Sequence, residues 1–309
     1  MIDPLRHRRA IRDAAPSPTR RRGSGALAIV RTIATPSRRQ RCGGALVLLA
    51  AANAAAASDW TPLRDACARQ TLHALSEAGL LPAGEGVSLA AQACRAWPYD
   101  PSLTLAAVAY PLPGSDAVGE RALRLVVAVL GTADAQVHAV HETSLEEDAA
   151  FALIEGGLRL DTARYDLAEG VRAFGVVVRS SAPGPSCPDA RANDELTLYV
   201  RDGAALRPVF SSNLVLWARV EGEPCSWSRG QYVVTDNAKL TIAIENTAHH
   251  GFADLRVQAD VTRTHSVVGS DREDTSRRRA SRVLRYDGTR YDQTALENGF
   301  FWAQEPSDE

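Results

Sequence analysis

The chain has 309 residues, and its 35 basic and 37 acidic side chains give a formal charge of −2 that conceals an asymmetry. Residues 1–57 hold 11 of the basic groups and 2 of the acidic ones, so residues 58–309 carry 24 against 35, a net charge near −11. A surface of that sign is a poor partner for nucleic acid or anionic membrane, and the length suffices for one large or two small domains with a real core.

Residues 38–59 have the layout of a secretory signal: a basic lead-in (Arg38, Arg39, Arg41), an apolar run over 45–52, and the small residues Ala55 and Ala57 of a cleavage site. The run is shorter than the about 20 apolar residues a spanning helix needs. Cleavage near Ala57 into the periplasm or the medium is therefore expected, with no transmembrane segment remaining. Cys42 precedes the run and no cysteine follows it, which argues against a lipid-modified N-terminus. Residues 1–34 are basic and aperiodic, and two readings apply. Either the true start is downstream, at a codon such as that of Val30, or this is a long export leader. Arg38-Arg39 suggests a twin-arginine route, although Arg41 and Cys42 stand where that route prefers apolar residues.

Four cysteines follow the signal, Cys67, Cys94, Cys187 and Cys225. An even number in an exported chain reads as two disulfides. Three pairings are open, and proximity favours Cys67–Cys94 and Cys187–Cys225, each worth about 3 kcal/mol. The chain has no Cys-x-x-Cys spacing to suggest a redox or metal site.

Residues 58–98 read as a helical hairpin. Thr61 can cap the first helix, Pro62 suits its first position, and Asp65 complements its dipole. Ala68, Leu72 and Leu75 recur on one face, and Gly79 is a natural stop. Ser88 can cap a second helix through Ala96, which Pro98 ends. From residue 99 to 304 the texture changes to short alternating runs punctuated by Gly, Pro, Asn and Asp, which is strand grammar.

Residues 252–262 alternate most clearly, 196–201 and 240–245 repeat the pattern, and 121–130, almost continuously apolar, reads as a central strand. Further strands are expected at 103–110, 136–141, 158–162, 171–179, 206–210, 214–220, 231–235 and 282–286. Asp202-Gly203 and Asp287-Gly288 read as hairpin turns. Ser144 with Glu147 forms a capping-box signature, so a helix is expected within 143–157. A Cys187–Cys225 bridge between loops at opposite ends of a strand would have to reach about 20 Å over six residues. The favoured solution is one long bent strand over 206–220, with Pro208 at an edge or bulge. Residues 267–281, including Arg277-Arg278-Arg279, read as a solvated mobile loop, and 305–309 as a disordered tail. The fold class expected is mainly antiparallel β, a two-sheet sandwich first and a small propeller-like arrangement second, with an N-terminal α-helical hairpin.

Candidate chemistry is sparse. His138 and His141 would share a face on a helix, but their alternating neighbours indicate a strand, on which they oppose one another. They remain weak metal candidates only if His249 and His250 come close. Ser211, Ser226 and Ser270 lack the strand-to-helix context of a nucleophile elbow. Phosphate-binding and calcium loops are absent, and no cofactor is expected. Trp217, Trp227 and Trp302 are candidates for a binding surface, since aromatics on a β platform stack on sugar rings or receive a protein.

Two stretches carry a resemblance: Asp161-Thr-Ala-Arg-Tyr165 running to Arg172-Ala-Phe-Gly-Val176, and Leu196-Thr-Leu-Tyr-Val-Arg-Asp-Gly203 with Leu206-Arg-Pro-Val209. They resemble a family of uncharacterised secreted proteins of proteobacteria, over a span from Cys94 to Tyr291. The resemblance implies export and a single domain there, and it transfers no functional residues. The expected function is an exported, non-catalytic binding or interaction protein of the cell envelope, with a protein or envelope glycan as partner. A runner-up is a periplasmic hydrolase of envelope glycans or peptides, with Asp161, Asp166 or Glu147 as acid or base and two carboxyls roughly 5–9 Å apart in one cleft. A third reading is an inhibitor of an exported enzyme, built on a rigid loop with Cys187 or Cys225 at its base.

Overall fold

The computed structural model describes residues 65–304 apart from 83–87, 115–116, 224, 226–229 and 272. The signal stretch, the Thr61 cap, Trp227 and the 305–309 tail lie outside these. Residues Ser58–Glu309 form one compact unit.

The first expected helix is present as α1 (Arg69–Glu77), with Thr71 and Leu75 buried. It ends in a Schellman motif around Gly79, at φ +73°: the Gly79 N–H donates to the Ser76 carbonyl and the Leu80 N–H to that of Leu75. The second helix of the hairpin does not form. Residues Ala91–Trp97 are strand β1, paired antiparallel with β2 (Asp100–Pro111). Ala91 and Ala93 turn into the core shared with the later strands, and this pairing overrides alanine's helical preference. The Cys67–Cys94 disulfide, Cα–Cα 4.7 Å, therefore ties the lead-in of α1 to a strand. Beside it the Cys94 N–H donates to the Asp65 carbonyl, and Arg95 forks onto the Asp65 carboxylate.

The strands β3 (Ala122–Gly131) and β4 (Val137–Glu146) complete a meander with β1 and β2. A second meander holds β5 (Leu158–Ala168), β6 (Val171–Val178), β7 (Ala190–Asp202) and β8 (Ala205–Glu221). Then come β9 (Tyr232–His249), β10 (Phe252–Val267) and β11 (Glu273–Leu284), followed by two short 3-10 turns, Thr294–Gly299 and Phe301–Gln304. All 11 strands belong to one hydrogen-bonded sheet, antiparallel except for a parallel bridge between Val140 of β4 and Ala205 of β8. The strands thus make one connected, mixed sheet, and the expected two-sheet sandwich is not confirmed. The cause is β8, which pairs with β7 along one edge, and on the other with β4 at its start and β9 at its end.

β8 is the long bent strand that the disulfide requires. Its register slips between Tyr199↔Pro208 and Leu198↔Phe210, leaving Val209 as the extra residue of a bulge beside Pro208. The Val209 carbonyl accepts from the Tyr291 N–H instead of a ladder partner. At the far end Cys187 and Cys225 are joined with Cα atoms 5.6 Å apart.

Burial explains the sequence texture. One core holds Leu105, Leu123, Leu125 and Val127 of the first meander against Leu160, Phe174, Val176 and Tyr199 of the second. The opposite face of β5–β8, with Leu167, Val177, Leu196 and Leu198, packs on Leu240, Leu255, Val257 and Val261 of β9 and β10, and on Tyr291, Phe301 and Trp302. A third cluster sets Leu75 of α1 on Ala106, Val108, Ala128 and Leu130. Strands β3 and β6 are therefore covered on both faces and read as continuous apolar runs. At Gly175 the packing leaves no room for a side chain, since a Cβ would meet Leu196 Cδ1 at 2.4 Å.

Two further expectations are corrected. Residues 143–146 continue β4 instead of starting a helix, because Glu147 does not cap Ser144 but turns inward to Arg121. Residues Glu273–Leu284, expected as mobile loop and a short strand, form β11 in an unbroken ladder with β10 from Leu255↔Leu284 to Ser266↔Glu273.

Candidate functional site

Strands β7 to β11 are laid side by side, and their registers place two rows of side chains on the face opposite the core. The first row is Asn193, Val215, Lys239, Asp260 and Arg279, and the second is Arg191, Trp217, Asn237, Thr262 and Arg277. Directly paired residues in an antiparallel sheet project to the same side. The alternate residues Leu216, Ala238, Val261 and Ala280 fill the core, which fixes the two rows as outward.

Arg191, Lys239, Arg277 and Arg279 are exposed and Trp217 is half-buried. The β9–β11 part of the face forms a groove of about 650 Å³ lined by Asn237, Lys239, Asp260, Thr262, Arg277 and Arg279. Arg279 Nε donates to Asp260 at 2.7 Å, and Arg191 Nη2 donates to the Pro185 carbonyl at 3.3 Å. Among the described residues Lys239 and Arg277 make no ion pair and no side-chain hydrogen bond. The two rows thus carry four cations and one carboxylate, in a unit whose net charge is strongly negative.

Other charges near this sheet are already engaged. Asp236, inside β9 and almost fully buried, accepts from Arg263 Nε at 2.8 Å and Nη2 at 3.0 Å, and from Arg278 Nη2 at 3.3 Å. Burial pushes its carboxyl up, but the two guanidinium groups outweigh that and hold it below its ordinary range.

The carboxylates named as acid or base do not converge. Glu147 is buried in a cage: Oε2 accepts from Arg121 Nε and the Gly119 N–H, and Oε1 from Arg121 Nη2 and the Leu153 N–H. Burial alone would raise its carboxyl, yet these partners bring it down to about 2. Asp166 is forked by Arg172, which lowers its carboxyl. Asp161 accepts from the Tyr165 hydroxyl and the Ala163 N–H.

A different pair, which sequence reasoning missed, shares a groove of about 560 Å³: Asp287 and Asp292, with Ser211, Arg290 and Thr294. Backbone N–H groups of Arg290 and Thr289 lower the Asp287 carboxyl, and the Thr294 hydroxyl and N–H lower that of Asp292. The Asp287-Gly288 turn signal marked one of the two, and nothing in the sequence joined it to Ser211.

His138 and His141 lie three apart on β4, and so on opposite faces. The His141 ring packs 5.3 Å from Tyr199, and burial lowers its pKa. His249 Nδ1 lies 2.8 Å from Asp254 Oδ1, while the Thr247 hydroxyl donates to Oδ2 of the same buried carboxylate. No hydroxyl or thiol bonds His249 Nε2 among the described residues. His250, at φ +48°, forms with Gly251 the two-residue turn between β9 and β10. Among the described residues no group of three His, Cys, Asp or Glu could hold a metal ion.

Of the aromatic candidates, Trp217 lies on the outward face, half-buried. Trp302 is corrected: it is fully buried, packed against Phe300 and Phe301 beneath β11, and cannot serve as surface. Comparison with protein-family models, characterised proteins and solved structures yields no match. The functional reading therefore rests on the geometry of this chain. No helix among the described residues is long and apolar enough to cross a membrane, and the two disulfides are compatible with an exported chain.

Proposed function

We propose that this chain is an exported, non-catalytic binding protein of the bacterial cell envelope, periplasmic after cleavage near Ala57, whose binding surface is the outer face of β7–β11. The observation that carries the reading is the exposed pair Lys239 and Arg277, without an ion-pair partner among the described residues, on the same face as Trp217. Within the same strands Arg263 is by contrast spent on a carboxylate of the fold, Asp236. The signal layout of residues 38–59 and the resemblance to secreted proteobacterial proteins support export.

The hydrolase reading fares worse. A glycoside hydrolase needs one carboxyl raised enough to stay protonated as general acid beside an ionised partner. Asp287 and Asp292 are both held low by hydrogen bonds that favour the charged form, and Glu147 is sealed by Arg121. The Cys187–Cys225 bridge anchors a loop, as an inhibitor requires, but carries no further sign of that role.

Co-sedimentation of the purified protein with isolated envelope material tests this. The wild type is expected in the pellet and Lys239→Glu/Arg277→Glu in the supernatant; equal pelleting of both would remove the face from the reading. Release of soluble fragments from the material would overturn the non-catalytic assignment.

A further inference from the structure

We infer that the occupant of the β7–β11 face is an anionic glycan, a chain of sugars whose carboxylates are spaced along it; this rests on the binding-face reading above. The spacing of the cations is the first ground. Neighbouring strands lie about 4.8 Å apart, so Lys239 on β9 and Arg279 on β11 stand about 10 Å apart in one row. Arg277 is two residues from Arg279 along β11, a further step of about 7 Å. A grid of that mesh suits a polymer of sparse charge. It is poorly matched to duplex DNA, which presents a charge every 1.7 Å or so of axis. The net charge near −11 acts in the same direction, repelling dense polyanions at long range while leaving close contacts with isolated carboxylates intact.

The second ground is what lies between the cations. Trp217 belongs to the same row as Arg277, with Arg191 and Asn237 as its cross-strand neighbours. An indole offers an apolar plane to the C–H face of a sugar ring. Asn237 and Thr262, followed by Thr241 and Gln258 across β9 and β10, supply neutral donors and acceptors for hydroxyl groups.

Third, the face is too poor in apolar area for a protein partner. Of the ten residues in the two rows only Val215 and Trp217 are apolar, whereas a stable protein interface buries about 800 Å² per partner around an apolar, charge-depleted centre. Four cations at the middle of such an interface would each have to be desolvated, while a flexible glycan leaves them partly in water.

Calorimetric titration of the full chain, purified after export, with an oligogalacturonate hexamer tests the inference. Its methyl ester and a hexaglutamate peptide serve as the comparison probes. The uronate is expected to bind and its ester to bind about tenfold more weakly, the cost of one charge-assisted hydrogen bond. Lys239→Ala, Arg277→Ala and Trp217→Ala should each weaken the uronate, the two cation variants with an unchanged melting temperature. Uronate binding that ignores these three substitutions would overturn the site. Binding of hexaglutamate but not uronate, dependent on Lys239 and Arg277, would overturn the glycan and leave the binding face standing. If neither probe binds, the glycan assignment falls, and the envelope co-sedimentation of the charge-reversed variant decides whether the face falls with it.

Discussion

Arg121 and Arg277 both stand on or beside antiparallel strands, and they have opposite fates. Arg121 is sunk at the start of β3, its guanidinium divided between the Glu147 carboxylate and the Leu153 carbonyl, with hardly any contact with water. Arg277, on the wet side of β11, has no partner among the described residues. A charge buried within the fold has to be answered there, and for Arg121 the Glu147 carboxylate and the Leu153 carbonyl do so. An exposed charge carries no such demand, and water satisfies it until a ligand replaces the water. The contrast separates charges that hold this protein together from charges free to bind, without reference to any relative.

The largest effect is expected where the contrast is broken from the buried side. Arg121→Ala leaves Glu147 ionised or unpaired in the core and should cost about 3–5 kcal/mol, read as a fall in the urea midpoint at constant m-value. A loss under 1 kcal/mol would show that the cage is not closed. Cutting the tie at the end of β8 comes next. Cys187→Ala/Cys225→Ala should cost about 3 kcal/mol by releasing the unfolded chain, measured against the wild type under oxidising conditions.

Acid provides the third measurement. Glu147 is about 2 in the folded state against an ordinary 4.5, so its stabilisation is fully present above pH 4.5 and is lost as pH falls toward 2. The wild type should lose stability across that window by up to about 1.4 kcal/mol per pH unit from this group, and Glu147→Gln should show a shallower slope. Equal slopes would assign the acid sensitivity elsewhere, with Asp236 and Asp254 next in line because both are held low as well.

The smallest effects belong to the exposed side. Lys239→Ala and Arg277→Ala should each change stability by less than about 0.5 kcal/mol. A larger loss by calorimetry would mean that these cations hold the sheet. His250→Asn should raise stability by a few tenths of a kcal/mol, since Asn-Gly suits a two-residue turn with two positive φ angles. A lowered melting temperature would give the His250 side chain a role outside the turn.

Much of this fold was legible because alternation is a local signal. Leu255, Val257, Ala259 and Val261 announce a strand with one buried face, and the apolar run of β3 announces two. The bent β8 followed from chain reach, once the two cysteines had to meet. What escaped was set by distant partners. β1 is rich in alanine and looks helical until Ala91 and Ala93 are seen to face the core shared with β5 and β6, while Cys94 faces α1. β11 has charged residues facing both ways, and its inward Arg278 donates to the buried Asp236. Of the proposed binding face, the sequence singled out Trp217. Lys239, Asp260 and Arg279 lie far apart in sequence and become a row only when two registers are fixed. Trp302 shows the reverse case, since its neighbours Phe300 and Phe301 read equally well as an exposed aromatic cluster.

The bulge at Val209 has a consequence for cooperativity. Before it, β8 contributes Leu206 to the core shared by the two meanders; from it onward, Val209, Phe210 and Leu216 enter the core beneath β9 and β10. Neither core can be dismantled without undoing a strand that the other requires. Residues 58–309 should therefore melt in one step, with near-ultraviolet dichroism and amide exchange of β3 and β10 reporting the same midpoint.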